Sequence, residues 1–378
     1  MEKHSYGLLY STPGTETSVT SFSFGPVNAT RKVYIQASLH ADELPGSLVA
    51  HYLYQRLLTL EAQGALRAKV VLVPMCNPLG LRQNFLYQHI GRFDFATGQN
   101  YNRLRNVPLH ANTIALLQEQ RFQPSANAAE NVATVRSAMA QVLAHYQPQT
   151  SVDALHKVLL QMAHDADIVL DLHCDNHAVL HVYTMPQLWK AFEPMARLLG
   201  SECQILSEDS ESGSFDEMLS TIWHKLQHQW PDAAIPLACH SATVEFRGER
   251  DLSHGWARQD ADALLQYLHR LGDVQLPEAE VRAEAPPLLR KPYPLEGVVY
   301  VKASLPGIAV YHVQPGDWVE AGQHVVDVVD PIHQQVQQVF SPTSGVVFAV
   351  SGQRFVHAEN KLMSISGPQA VGDGVLGP

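Results

Sequence analysis

The chain has 378 residues, 46% of them hydrophobic and 17% charged, which are values of a globular protein with room for two or three domains. Its net charge of -11 argues against a nucleic-acid backbone as partner. No apolar run approaches the roughly 20 residues that span a bilayer, and the start Met-Glu-Lys-His-Ser-Tyr lacks the basic and apolar regions of a secretory signal. Four scattered cysteines, Cys76, Cys174, Cys203 and Cys239, form no C-x-x-C pair and read as reduced thiols of a cytoplasmic protein. The 20 histidines make any single one weak evidence, so position relative to strands has to carry the case.

In chain order, the β-branched and aromatic run Val33 to Ser38 predicts a buried strand, ending in the loop His40-Ala-Asp-Glu43. Pro45-Gly46 opens a helix over 47–60, with Leu48, Val49, Tyr52, Leu53 and Leu57 on one face. Lys69 to Pro74 reads as the next strand. Continuous apolar strands joined by helices predict an α/β fold, a mixed, mostly parallel sheet covered by helices on both faces. Ligands gather at the carboxyl ends of such strands.

A helical insertion is expected at about 104–165, with helices over Asn127 to His145 and Val152 to His164. Asp167 to Leu172 predicts a central strand ending at His173. Phe215 to His228 and Trp256 to Leu271 read as helices flanking a strand over Ala242 to Phe246. The predicted organisation is a catalytic domain at 1–272, a proline- and glutamate-rich linker at 273–294, and a small all-β domain at 295–378. No period of about 20 to 50 residues recurs, which excludes a solenoid.

The His-x-x-Glu pair and His173 each follow a strand, and two nitrogen ligands with one carboxylate make a zinc site with one position open, as catalytic sites have. Such a set also suits manganese, cobalt or nickel. The bland alternatives are a surface loop whose Asp42 and Glu43 favour the following helix N-terminus, and a core histidine bonded to a carbonyl. Asp171 lies two residues before His173, on the same strand face, where it can orient the ring. His177 and His181 compete with His173 as ligands. Glu245, on the third strand, is a candidate general base, or else an ion-pair partner of Arg247 or Arg250. In the Gly- and Asn-rich segment Gly91 to Arg103, Arg92 can polarise a carbonyl. Asn102 and Arg103 can grip a carboxylate, and Arg247 is a further candidate for it. The competing reading is a surface loop with solvated arginines.

The order His40-x-x-Glu43, Arg92, Asn102-Arg103, Asp171-Leu-His173, then a strand carrying Glu245, resembles the succinylglutamate desuccinylase/aspartoacylase family of zinc carboxypeptidase-like hydrolases. The resemblance covers roughly residues 30 to 350. It implies that His40, Glu43 and His173 bind one zinc ion, that Asn102 and Arg103 hold a substrate carboxylate, that Arg92 polarises the scissile carbonyl and that Glu245 is the base. The Arg92 to Asn102 interval is a few residues longer than the family's. The C-terminal module resembles a lipoyl/biotinyl-carrier fold in Ser304 to Gly307 and Pro315 to Gly322, but the turn Asp330-Pro-Ile-His-Gln334 has no lysine to modify. The resemblance also implies that this module shields the mouth of the site, with Tyr293, Tyr300 and Tyr311 as candidate lid residues. The expected activity is hydrolysis of the amide bond of a small, carboxylate-bearing N-acyl amino acid. A carboxypeptidase-like peptidase on short peptides is the alternative within the same chemistry, and a non-catalytic binding protein is the alternative outside it. An oligomer is compatible with all three.

Overall fold

The structure, a computed structural model, describes residues 1–210, 212–372 and 374; the last part of the expected β-domain, 373 and 375–378, lies outside these. The chain divides into two compact units. One comprises Met1–His173, Ser212–Thr243 and His254–Ala283, the other Cys174–Glu211, Val244–Ser253 and Glu284–Pro378. Among the described residues no helix is long and apolar enough to cross a membrane.

In the first unit the strands lie in the order Glu2–Gly7, Ser18–Phe24, Lys69–Val73, Lys32–Ala37, Ile168–Asp175. The last three run parallel to one another, and the first two are antiparallel additions at the edge. The sequence reading did not foresee those two, because Glu2–Gly7 is largely exposed and carries no apolar stripe. The central strands are continuous apolar runs because both faces are covered. Tyr34, Val71, Val73 and Val169 share one core with the helices Leu109–Glu119, Ala128–His145, Ser151–Ala163 and Phe215–Gln229, around fully buried Trp223. Val33 and Ile35 alternate to the other face, that of the helix Pro45–Ala62, which also packs on His254–Arg270. There Tyr52 bonds to His254 Nδ1 at 2.8 Å.

The expected insertion is helical, with a third helix, Leu109–Glu119, that the sequence reading missed. These helices are one wall of the core, not an appendage. Thr150 and Asp153 form a capping box that starts the helix Ser151–Ala163.

In the second unit, strands His181–Thr184, Cys203–Leu206 and Tyr293–Pro294 pair in parallel. The C-terminal part is an all-β module of two antiparallel sheets. One orders Val298–Lys302, Lys361–Ser366, Gly345–Val350, Trp318–Val319, and the other Gln335–Phe340, His324–Asp330, Gly307–Tyr311, Phe355–Val356. Its interior is built from small branched side chains, among them Val325, Val326, Val347 and Ile365.

Gly46 shows how tightly the first helix meets the sheet. A Cβ there would lie 2.8 Å from the Leu172 carbonyl oxygen and 2.9 Å from the Leu172 Cβ. Gly46→Ala should therefore destabilise the protein by about 1–3 kcal/mol through overpacking, read as a lowered urea midpoint with unchanged slope. An unchanged midpoint would show that this contact is not limiting.

Candidate metal centre

The strand Lys32–Ala37 ends at Ser38, whose φ of 58° is uncommon for a residue with a side chain. Its hydroxyl sits 2.7 Å from that of Ser47, which donates to the Pro74 carbonyl. Asn77 Nδ2 donates to the Leu39 carbonyl at 2.8 Å, and the Ala41 amide to that of Gly91 at 3.0 Å. These bonds hold a tight loop in which His40 and Glu43 point the same way. The parallel pairing of Ala37 with Leu172 brings His173 alongside.

His40 Nδ1 is 2.9 Å from Glu43 Oε1, and His173 Nδ1 is 2.7 Å from Glu43 Oε2. All three side chains are at most 4% exposed. One ligand atom from each lies within 4.8 Å of the other two.

The outer partners decide which ring nitrogens carry protons. Asn100 Oδ1 accepts from the Asn102 amide at 2.8 Å, so that atom is an oxygen, and His40 Nε2, 2.9 Å away, donates to it. His173 Nε2 lies 3.0 Å from Asp171 Oδ2, off the ideal hydrogen-bond line, and neither atom has another partner among the described residues. With Nε2 protonated, the His40 Nδ1 lone pair faces the Glu43 carboxylate, and His173 Nδ1 faces it from the other side. Such a set favours positive charge beside it, which Arg92 supplies at one edge and a bound cation would supply at the centre. Imidazole nitrogen with carboxylate oxygen is the donor chemistry of zinc and related divalent ions, and the residues fit such an ion.

The protonation tendencies agree. Burial acts to raise the Glu43 carboxyl, but His40 and His173 outweigh it and hold it well below the usual range. Burial acts to lower His173, yet Asp171 and Glu43 raise it well above an ordinary histidine. Burial and Arg92 lower His40.

A polar ladder backs Asp171. Gln36 Nε2 donates to Asp171 Oδ1 at 3.0 Å, and the Tyr34 hydroxyl donates to Gln36 Oε1 at 2.8 Å. Tyr34 and Gln36 share a strand face, and Gln36 pairs with Asp171 in register. Arg92 Nη1 donates to Glu43 Oε1 at 3.0 Å and to His40 Nδ1 at 3.2 Å. Gly91 brings its backbone close against the His40–Glu43 loop, where a Cβ would lie 2.3 Å from the Asp42 amide nitrogen. Asn102 Oδ1 accepts from the Phe215 amide at 2.8 Å, satisfying an open donor at the start of Phe215–Gln229. Arg103 Nη1 donates to the Asn102 carbonyl at 2.8 Å.

Glu245 and Arg247 belong to the second unit. Both are on the strand His240–Gly248, where Arg247 has a φ of 63°. In that unit burial raises the Tyr183 hydroxyl well above its ordinary value, reinforced by Tyr300 and Glu245. The Tyr311 hydroxyl donates to the Leu362 carbonyl inside the β-module. His181 Nδ1 faces the Val179 carbonyl at 2.8 Å.

Sequence reasoning missed Gln36 and Asn100. A glutamine inside an otherwise apolar strand was the available signal for the first. Asn100 offered none beyond an Asn-rich segment.

The family profile described as "Succinylglutamate desuccinylase/Aspartoacylase catalytic domain" matches residues 29–269. The chain belongs to the succinylglutamate desuccinylase/aspartoacylase family. Family members of this type are hydrolases, so the chain is an enzyme of that class. A family protein of known structure from Shewanella amazonensis is 24% identical, with a TM-score of 0.84 over 97% of this chain and 98% of that one. Another from Shewanella frigidimarina is 24% identical, with a TM-score of 0.80 over 97% and 96%. The product-bound ectoine utilization protein EutE (DoeB) from Ruegeria pomeroyi is 13% identical, with a TM-score of 0.65 over 97% and 95%. These likenesses establish the shared fold, and their coverage extends over the helical segment read as an insertion. No curated protein matches the chain.

Two outcomes are expected. Asn100→Ala should weaken divalent-metal affinity by about 10–100-fold, measured by competition with a chromophoric chelator; unchanged affinity would remove Asn100 from the site's support. The second concerns His156, whose Nε2 donates to the Tyr101 carbonyl at 2.7 Å and ties an insertion helix to the Arg92–Arg103 loop. Its Nδ1 is buried without a partner among the described residues, and burial depresses its pKa from 6.5 to about 4. The unfolded chain binds the extra proton first, so stability is full above about 6.5 and falls as pH drops toward about 4. The loss should be on the order of 3 kcal/mol, and His156→Gln should flatten that part of a urea-denaturation pH profile.

Proposed function

We propose that the chain is a zinc-dependent deacylase, hydrolysing the amide bond of a small N-acyl amino acid or related carboxylate-bearing amide. What supports the reading is the buried His40–Glu43–His173 acceptor cluster in a chain of this family. These three would hold the ion, and when bound it supplies Lewis-acid chemistry to a carbonyl oxygen and to water.

The chain's own groups do the rest. Asp171 and Asn100 keep both rings turned with Nδ1 inward. Arg92 donates to the carbonyl oxygen as negative charge builds on it. Glu245 takes a proton from the attacking water and returns it to the nitrogen of the leaving amine. Arg103, with Asn102 and Arg247, grips the substrate carboxylate, since guanidinium matches it in a two-pronged way. The β-module is read as a lipoyl/biotinyl-type scaffold kept without the carrier lysine, and the linker at 273–294 as its attachment to the catalytic domain. All four cysteines are buried, and none forms a disulfide among the described residues, which fits a reducing compartment and a cytoplasmic enzyme.

The test is turnover on a panel of N-acyl amino acids beside a panel of short peptides. Metal-stripped protein should be inactive and regain activity with zinc. Glu245→Gln should lower kcat by about 10²–10⁴-fold with zinc still bound. Wild-type turnover by either would overturn the mechanism, and release of C-terminal residues from the peptides in preference to deacylation would make the enzyme a peptidase.

A further inference from the structure

A second set of metal-type donors lies in the β-module. His312 Nε2 is 2.8 Å from Asp327 Oδ2, and His324 Nε2 is 2.8 Å from Asp327 Oδ1. One ligand atom from each of the three lies within 4.8 Å of the others. The side chains are 41%, 30% and 20% exposed for His312, His324 and Asp327, so water and ions reach them.

Chain geometry makes this convergence specific. In a regular strand, residues 324 and 327 would point to opposite faces. The register between His324–Asp330 and Gln335–Phe340 shifts between His324 and Val326, and the extra residue turns His324 to the face of Asp327. On the neighbouring strand Asp327 pairs with Val310, and His312, two residues on, shares the face of Val310. The His312 amide donates to the Val325 carbonyl at 2.9 Å, which holds the end of that strand to the bulge. The two rings stand 4.4 Å apart, and Phe340 packs 5.4 Å from His324. His333 with Asp330 gives the contrast: one histidine, one carboxylate, 2.6 Å apart, an ordinary hydrogen-bonded pair that cannot chelate through two rings.

We propose that His312, His324 and Asp327 form a second divalent transition-metal site, of the zinc class, whose remaining positions are taken by water. Imidazole with carboxylate selects zinc, copper or nickel over magnesium and calcium. An ion here would join the end of Gly307–Tyr311 to the bulged strand, fastening the module rather than taking part in hydrolysis. The proposal does not rest on the deacylase reading.

The experiment uses the full chain, stripped with a chelator and titrated with zinc by calorimetry, with long-range ¹H–¹⁵N spectra of the histidine rings. Wild type should bind a second equivalent, weaker than the first, with the Nε2 signals of His312 and His324 shifting as it binds. His324→Ala and Asp327→Asn should each lose the weaker equivalent alone and keep full hydrolytic activity. His40→Ala should lose the tighter one and keep the weaker, which separates this site from the buried centre. The proposal is overturned by a single equivalent in wild type, by undiminished weak binding in both variants, or by unshifted Nε2 signals. A shift produced equally by magnesium would also overturn it.

Discussion

Two imidazole nitrogens and a carboxylate gathered in a dry interior need a proton or other positive charge between them. His40, Glu43 and His173 are held in that arrangement, and much of the first unit serves to keep them there. Asn100 and Asp171 turn the rings, Gln36 and Tyr34 back Asp171, and Arg92 brings a fixed positive charge to the edge. Left to relax, the rings would turn to other partners, and each outer bond removes one of those alternatives.

The parallel pairing of Lys32–Ala37 with Ile168–Asp175 is what makes this support possible. Residues of alternate position face the same side, so one register places Gln36 by Asp171 and delivers His173 to the loop of His40. A slip of one residue would turn these side chains to the opposite face. The helical segment after residue 104 contributes at a distance. Its His156 holds the Tyr101 carbonyl, and Asn102 fastens the same loop to the helix Phe215–Gln229. The segment read as an insertion thus helps position the loop carrying Arg92 and Asn100.

Much of the first unit's sheet was legible because Val33, Ile35, Val70, Leu72, Val169 and Leu170 form unbroken apolar runs, which only strands covered on both faces sustain. His40, Glu43 and His173 could be picked out because each follows such a run. The edge strand Glu2–Gly7 and the helix Leu109–Glu119 were not legible. The first is exposed, and only Leu109, Thr113 and Leu117 of the second are buried, too narrow a stripe to read alone. Asn102 was read for its capacity to bind a carboxylate. Its oxygen also caps a helix more than a hundred residues away, a partner that no local pattern reveals.

The sequence by itself determined the donor types, their order along the chain and the strands that end in them, because periodicity and residue chemistry are local properties. Tertiary structure decided which nitrogen of each histidine faces Glu43, that Asn100 and Gln36 belong to the support, and that a bulge near His324 gathers a second donor set in the β-module. These depend on strand register, bulges and distant hydrogen bonds, which arise only when separate segments meet.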